Sequence, residues 1–134
     1  MHRPPDPPPG LHSDDPGAGP AIDRATFDRL RELDPDGRRG FLRQVLQTYE
    51  RSLDRQLGVL GAAASAGDVA RAGEVAHALK SSSASVGALV LSMRCAAVER
   101  LARAADPQAL GEPLAALQAE AGRVRASVQA MLAD

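Results

Sequence analysis

Tryptophan is absent from the 134-residue chain, and one tyrosine with two phenylalanines brings the aromatic content to only 2%. A core built without large rings has to be filled by Leu, Val and Ala, a composition that favours packed helices. The single cysteine, Cys95, excludes an internal disulfide and a cysteine-based zinc site; one free thiol fits a reducing compartment. No apolar run approaches the roughly 18 residues that span a bilayer. The opening stretch MHRPPDPPPG has no hydrophobic signal-peptide core, so a cytoplasmic location without direct membrane contact is expected. Nor does either sign of charge dominate: 16 Lys and Arg face 17 Asp and Glu, a formal net charge of −1. Such a chain exerts no global pull on nucleic acid or anionic lipid, and a partner has to be recognised by a local patch. Neither a strand pattern nor an internal repeat is present.

What is present falls into two parts. Residues 1–21 carry seven prolines, with Gly10, Gly17 and Gly19 between them, and such a segment can bury almost nothing and cannot hold a helix. It reads as a disordered leader or an interdomain linker, with docking of the prolines on a partner as the alternative. Beyond it the period is helical. Asp23 is placed to cap a short helix whose apolar stripe is Ile22, Phe27, Leu30 and Leu33, and Asp34-Pro35-Asp36-Gly37 reads as a turn. A second helix is expected from about Arg38 to Ala64, on Leu42, Val45, Leu46, Tyr49, Leu53, Leu57 and Leu60. Gly67-Asp68 reads as a stop followed by a new cap. A third helix then runs from Val69 to about Ser85, and a fourth from Ala88 to Ala104 with Val90, Met93, Ala97 and Leu101 inward. Asp106-Pro107 pairs a cap with a first-turn proline for the last helix, which carries Leu110, Leu114, Leu117, Ala121, Val124, Val128 and Met131; Pro113 kinks it or marks its true start. Amphipathic helices joined by short turns predict an all-α antiparallel four-helix bundle, with the additional short N-terminal helix capping one end.

The stretch EVAHALKSSSASVG, Glu74 to Gly87, carries the chemistry. At about 100° per residue, Ala72, Val75, Leu79, Ser83 and Val86 gather on a core face, and His77 points away from it. Its helical neighbours are Gly73, Lys80 and Ser81, with Ala70 and Ala84 further along the same face. An imidazole is thereby expected on a surface cleared of bulk, with one cation within reach. An exposed ring with an ordinary pKa near 6.5 keeps a neutral, nucleophilic nitrogen around neutral pH. Lys80 can offset the charge of an added phosphoryl group, and Ser81 and Ser82 offer hydroxyls to its oxygens. The ordinary reading competes at each position: a solvated surface histidine, a solvated lysine, a low-propensity helix end.

H-A-L-K-S-S-S-A-S-V-G-A, from His77 to Ala88, resembles the signature of the histidine-containing phosphotransfer (HPt) domain family, H-x-L-K-G-S-S-A-x-x-G-A. His77, Leu79, Lys80, Ser82, Ser83, Ala84, Gly87 and Ala88 match; Ser81 departs from the usual glycine but is still small. Cys95 with Glu99 one turn later, and the Phe41–Tyr49 pattern upstream, add weaker likeness, so that residues 23–132 are covered. The resemblance implies an HPt-like bundle over residues 22–134. It also implies a phosphorelay intermediate in two-component signal transduction, bacterial in type, that takes a phosphoryl group on His77 from a receiver-domain aspartyl phosphate and passes it to another receiver aspartate. It implies a phosphocarrier, not an enzyme with kinase or hydrolase activity of its own. Response-regulator receiver domains and a hybrid sensor histidine kinase are the implied partners, and the protein itself is expected to be a monomer. No cofactor or metal is expected in this chain; Mg2+ is expected only in the receiver.

Supporting roles follow from the same resemblance. Glu99 and Arg103 are placed near the histidine, to orient the ring or contact phosphate; a surface i,i+4 ion pair is their other reading. Val69, Ala70, Gly73, Ala84 and Ala88 are expected in the receiver-docking surface, since an exposed patch of small apolar residues suits a transient interface. Cys95 is expected as a small buried residue, with a redox role as the alternative. His2 and His12 fall in the tail with no specific role, and Arg38-Arg39, Arg123 and Arg125 read as solvated faces. Three rivals remain. A sensor-kinase dimerisation domain usually has an acidic residue directly after its histidine, where this chain has Ala78. A non-catalytic helical adaptor would bind receiver or kinase domains without transfer. A metal- or nucleic-acid-binding bundle is disfavoured by scattered histidines and near-neutral charge.

Overall fold

The computed structural model describes residues 20–33 and 39–133. The expected tail, His2, His12 and the Asp34–Gly37 turn with Arg38 lie outside the described residues, apart from Pro20 and Ala21. Among the described residues five α-helices follow one another: α1 (Arg24–Glu32), α2 (Arg39–Ser65), α3 (Val69–Ser85), α4 (Leu89–Ala102) and α5 (Gly111–Ala133). No strand occurs among the described residues, in line with the all-helical reading. None of the described helices is long and apolar enough to cross a membrane.

Local chemistry sets the boundaries. Asp23 caps α1 by accepting from the Thr26 amide at 2.9 Å and its hydroxyl at 2.8 Å. Asp68 caps α3 by accepting from Arg71 N at 3.1 Å. The turns into α3 and α4 share one design: a glycine with positive φ, Gly67 at +70° and Gly87 at +89°, sits just past the helix end. The following amide, of Asp68 or Ala88, bonds back to Ala63 O or Ser83 O at 2.8 Å. This is the left-handed cap that lets a helix stop and the chain reverse. Gly87 also receives α1: Asp23 N donates to Gly87 O at 2.6 Å.

The core runs through all four longer helices. Leu46, Leu53, Leu60, Leu79, Leu91, Leu117, Val98, Val124 and Val128 are buried, as an aromatic-poor composition requires. α3 packs most extensively on α4; α2 packs on α3 and α5, and α5 on α4. Each long helix thus covers apolar faces of two neighbours.

Several expectations need correction. Ala21 is buried, so the folded unit takes in a residue assigned to the tail. Leu33, at the end of α1, is exposed. Asp106-Pro107 opens a short 3-10 turn, Pro107–Leu110, and α5 begins only at Gly111, which puts Pro113 in its first turn, where an amide would have had no intrahelical partner. The inward stripe of α4 is Leu91, Cys95 and Val98, continued from Ala88, while Met93 is 60% exposed. Apolar residues surround nearly the whole of α4, so periodicity alone assigned the wrong face. Finally, Arg123 and Arg125 are not simply solvated: they pair with Glu120 and Asp54.

Candidate functional site

His77 stands on α3 where a turn of small residues faces α4. A Cβ added at Gly73 would lie 2.9 Å from Ala102 Cβ, so the two backbones approach closely because neither helix carries bulk there. That approach brings the side chains of α4 under the imidazole. His77 Nδ1 lies 2.7 Å from Glu99 Oε2, and Lys80 Nζ donates to Glu99 Oε1 at 2.7 Å. Arg103 Nη2 is 3.5 Å from Glu99 Oε2. One carboxylate therefore gathers a histidine, a lysine and an arginine.

Exposure divides these groups. The His77 side chain is 63% accessible, while Glu99 beneath it is 13% accessible. Lys80 is intermediate and Arg103 open to solvent. The hydrogen bonds from Lys80 and His77 hold the Glu99 carboxyl below the usual glutamate range, so it is an acceptor only. The proton in the 2.7 Å contact therefore belongs to Nδ1 of the ring, and the exposed Nε2 keeps a lone pair when the imidazole is neutral. The geometry makes a nucleophile with a fixed tautomer.

Lys80 is the chain's single lysine, against fifteen arginines, so all side-chain ammonium chemistry in this protein resides here. Ser92 Oγ donates to Lys80 O at 2.9 Å, a further tie between α3 and α4. Beside the ring, Ala70, Gly73, Glu74, His77, Glu99, Ala102 and Arg103 line an open hollow of about 480 Å³. Side chains on a helix lean toward its N-terminus, which explains why the hollow lies on the Gly73 side of His77 and is edged by Arg103, not Lys80. Among the described residues, no group of three or more His, Cys, Asp or Glu is arranged to hold a metal ion.

The serines separate by face. Ser81 is exposed, and its hydroxyl makes no hydrogen bond among the described residues. Ser82, expected near the phosphate, is not brought to the imidazole: it lies about 140° further round the helix, and its hydroxyl donates to Leu79 O at 3.3 Å. Ser83 is buried and bonds Tyr49 Oη at 2.9 Å. Of the expected docking residues, Ala70 and Ala84 are exposed and Val69 and Gly73 half-buried. Ala88 needs correction: it is 0% exposed, because the reversal at Gly87 turns it into the core as the cap residue of α4. Cys95 is fully buried, and burial, with the Glu99 charge adding to it, pushes its thiol up to about 12; a thiol so hard to ionise is a packing group, not a redox centre. Glu74 and Ala102, which line the hollow, had no distinguishing signal of their own in the sequence.

Comparison with known proteins gives a consistent picture. The Hpt domain family matches residues 44–127 of the chain. The fold is similar to that in the crystal structure of histidine-containing phosphotransfer protein B (HptB) from Pseudomonas aeruginosa PAO1, with a TM-score of 0.76 and 25% sequence identity, covering 85% of this chain and 96% of that one. No curated protein sequence matches.

Proposed function

The chain belongs to the Hpt domain family, and from that premise we propose that it is a phosphorelay intermediate that accepts a phosphoryl group on His77 from a receiver-domain aspartyl phosphate and passes it to another receiver aspartate. The observation that carries this reading is the 2.7 Å contact between His77 Nδ1 and Glu99 beneath a ring that is 63% exposed. In the transfer, the Nε2 lone pair forms the N–P bond as the bond from phosphorus to the aspartyl oxygen breaks, and the electron pair leaves with the receiver carboxylate. The ring keeps its Nδ1 proton and gains positive charge, which Glu99 offsets across the hydrogen bond. Passing the group on is the reverse displacement by a second receiver carboxylate.

Lys80 and Arg103 offset the charge of the phosphoryl oxygens, Arg103 from the edge of the hollow and Lys80 from behind Glu99. Ser81 keeps the approach open and offers a hydroxyl. Val69, Ala70, Gly73 and Ala84 form part of the receiver-docking surface. The protein is a phosphocarrier: the magnesium ion arrives with the receiver, and a hybrid sensor kinase supplies the phosphoryl group upstream. The four long helices form an antiparallel bundle with α1 as the additional short helix. It acts as a monomer in the cytoplasm.

The test is to mix the protein with a phosphorylated receiver domain. His77 should gain an acid-labile, base-stable phosphate, and His77→Gln should gain none while melting at the same temperature. Incubation with ATP alone should label neither. Equal behaviour of the two proteins toward the receiver would leave the adaptor reading in place instead.

A further inference from the structure

α4 presents a second feature that transfer chemistry alone does not require. Leu89 and Met93 are 42% and 60% exposed, one helical turn apart. At about 100° per residue, Leu89, Met93, Ala96, Arg100 and Arg103 share an arc of about 80°. Arg103 is the member of that arc that lines the hollow beside His77. An apolar strip of Leu89, Met93 and Ala96 therefore runs along the outside of α4, and Arg100 and Arg103 join it to the reactive site.

Distance and charge say what covers it. Met93 is six residues from Glu99, about 9 Å along the axis, and Leu89 about 15 Å. A specific interface buries about 800 Å² per partner, roughly 30 Å across, so a partner centred on His77 reaches both. The segment from Val69 to Arg103 holds five cations and two carboxylates, in a chain whose formal net charge is −1. Arg100 and Arg103 stand at the end of the strip next to His77, which suits a partner that brings an acidic reacting centre and an apolar helix face edged with carboxylates.

We propose that Leu89 and Met93 are the apolar anchors of the docking surface for the receiver domain that exchanges phosphoryl groups with His77. The inference rests on the function proposed above. It assigns the specificity of that site to α4 as well as to the small residues of α3, and it gives the exposure of Met93 a reason.

The test separates docking from chemistry. Phosphoramidate, a small donor that needs no docking, should label His77 in Leu89→Gln/Met93→Gln as fast as in the wild type. Transfer from a phosphorylated receiver should lose about tenfold or more in kcat/KM, with kcat at saturating receiver little changed. Met93→Glu should lose more than Met93→Lys, because the partner's rim is acidic. Wild-type transfer by the double variant, or the reverse order of the two charge variants, overturns the assignment while leaving the phosphorelay reading intact. A wild-type dimer that the double variant dissolves overturns it in favour of a second copy. A wild type that phosphoramidate labels and no receiver charges sinks both.

Discussion

α3 turns polar side chains toward both of its large neighbours, and the two sides illustrate how burial decides what a polar group is for. Toward α4 it offers His77 and Lys80 to Glu99, in two contacts of 2.7 Å that stay within reach of water. Toward α2 it offers Ser83 to Tyr49 in one contact of 2.9 Å between groups that are both buried. The first set is charged, and its outer nitrogen is free to react. The second is neutral and sealed, and burial raises the Tyr49 hydroxyl to about 12, so it neither ionises nor meets a substrate. Removing a buried partner leaves an unsatisfied group at full desolvation cost, whereas exposed ion pairs contribute little to stability. The α2 side should therefore answer in folding free energy and the α4 side in phosphoryl transfer.

The largest effect is expected where this division fails, at Gly73. It serves both packing and site, because its backbone sets the distance from α3 to α4. Gly73→Val drives carbon into Ala102 at a separation where even a Cβ would lie 2.9 Å away, and neither atom is the tip of a flexible chain. Overpacking of this kind costs about 2–3 kcal/mol. It should also part His77 from Glu99, so that urea midpoint and His77 labelling fall together. A Gly73→Val protein that melts as the wild type does would mean that the helices separate freely there, and the close approach would lose its role.

Tyr49→Phe should act on stability alone. It strands the buried Ser83 hydroxyl and should cost about 1–2 kcal/mol in urea unfolding. Adding Ser83→Ala to the Tyr49→Phe variant should recover part of the loss, since a buried donor and acceptor are then both gone. Labelling of His77 by phosphoramidate should hold throughout. A drop in labelling without a drop in stability would show that the buried pair reaches across α3 to the site.

Much of this arrangement was legible in the sequence, for identifiable reasons. The core face of α3, with Ala72, Val75, Leu79, Ser83 and Val86 all buried, followed from helical spacing, and so did the outward direction of His77. Gly67, Asp68 and Gly87 marked real boundaries because positive φ and side-chain caps are local chemistry. α4 was misread because its sequence, LVLSMRCAAVERLA, offers apolar residues in nearly every direction; only the positions of α3 and α5 select Leu91, Cys95 and Val98 as the buried set. Ala88 went wrong for a related reason: a residue just past a reversal belongs to the next helix's face, not the previous one's. Glu99 could be placed near His77 only through resemblance, because a contact between residues 22 positions apart leaves no trace in spacing.

The smallest effect is expected at Lys80, and it isolates what charge alone contributes on the α4 side. Its hydrogen bond is the foremost cause that holds Glu99 below the ordinary glutamate range, with that of His77 second. A depressed folded-state pKa means that the associated stability is present above the unfolded carboxyl pKa and is lost as pH falls through the lower folded value. In Lys80→Met that acid window should narrow, because the Glu99 midpoint climbs back toward the ordinary value. Carbon NMR of the Glu99 carboxyl follows the midpoint directly. Selective 15N labelling of lysine reports Nζ of Lys80 without assignment, since no other lysine exists. At neutral pH the carboxylate stays ionised in both proteins, so the His77 Nδ1 contact should persist and transfer should fall only by the missing positive charge near the phosphoryl group. An unmoved Glu99 titration in Lys80→Met would mean that His77, Arg103 and solvent set the carboxylate without the lysine, and the lysine would be left with the phosphoryl group as its sole business.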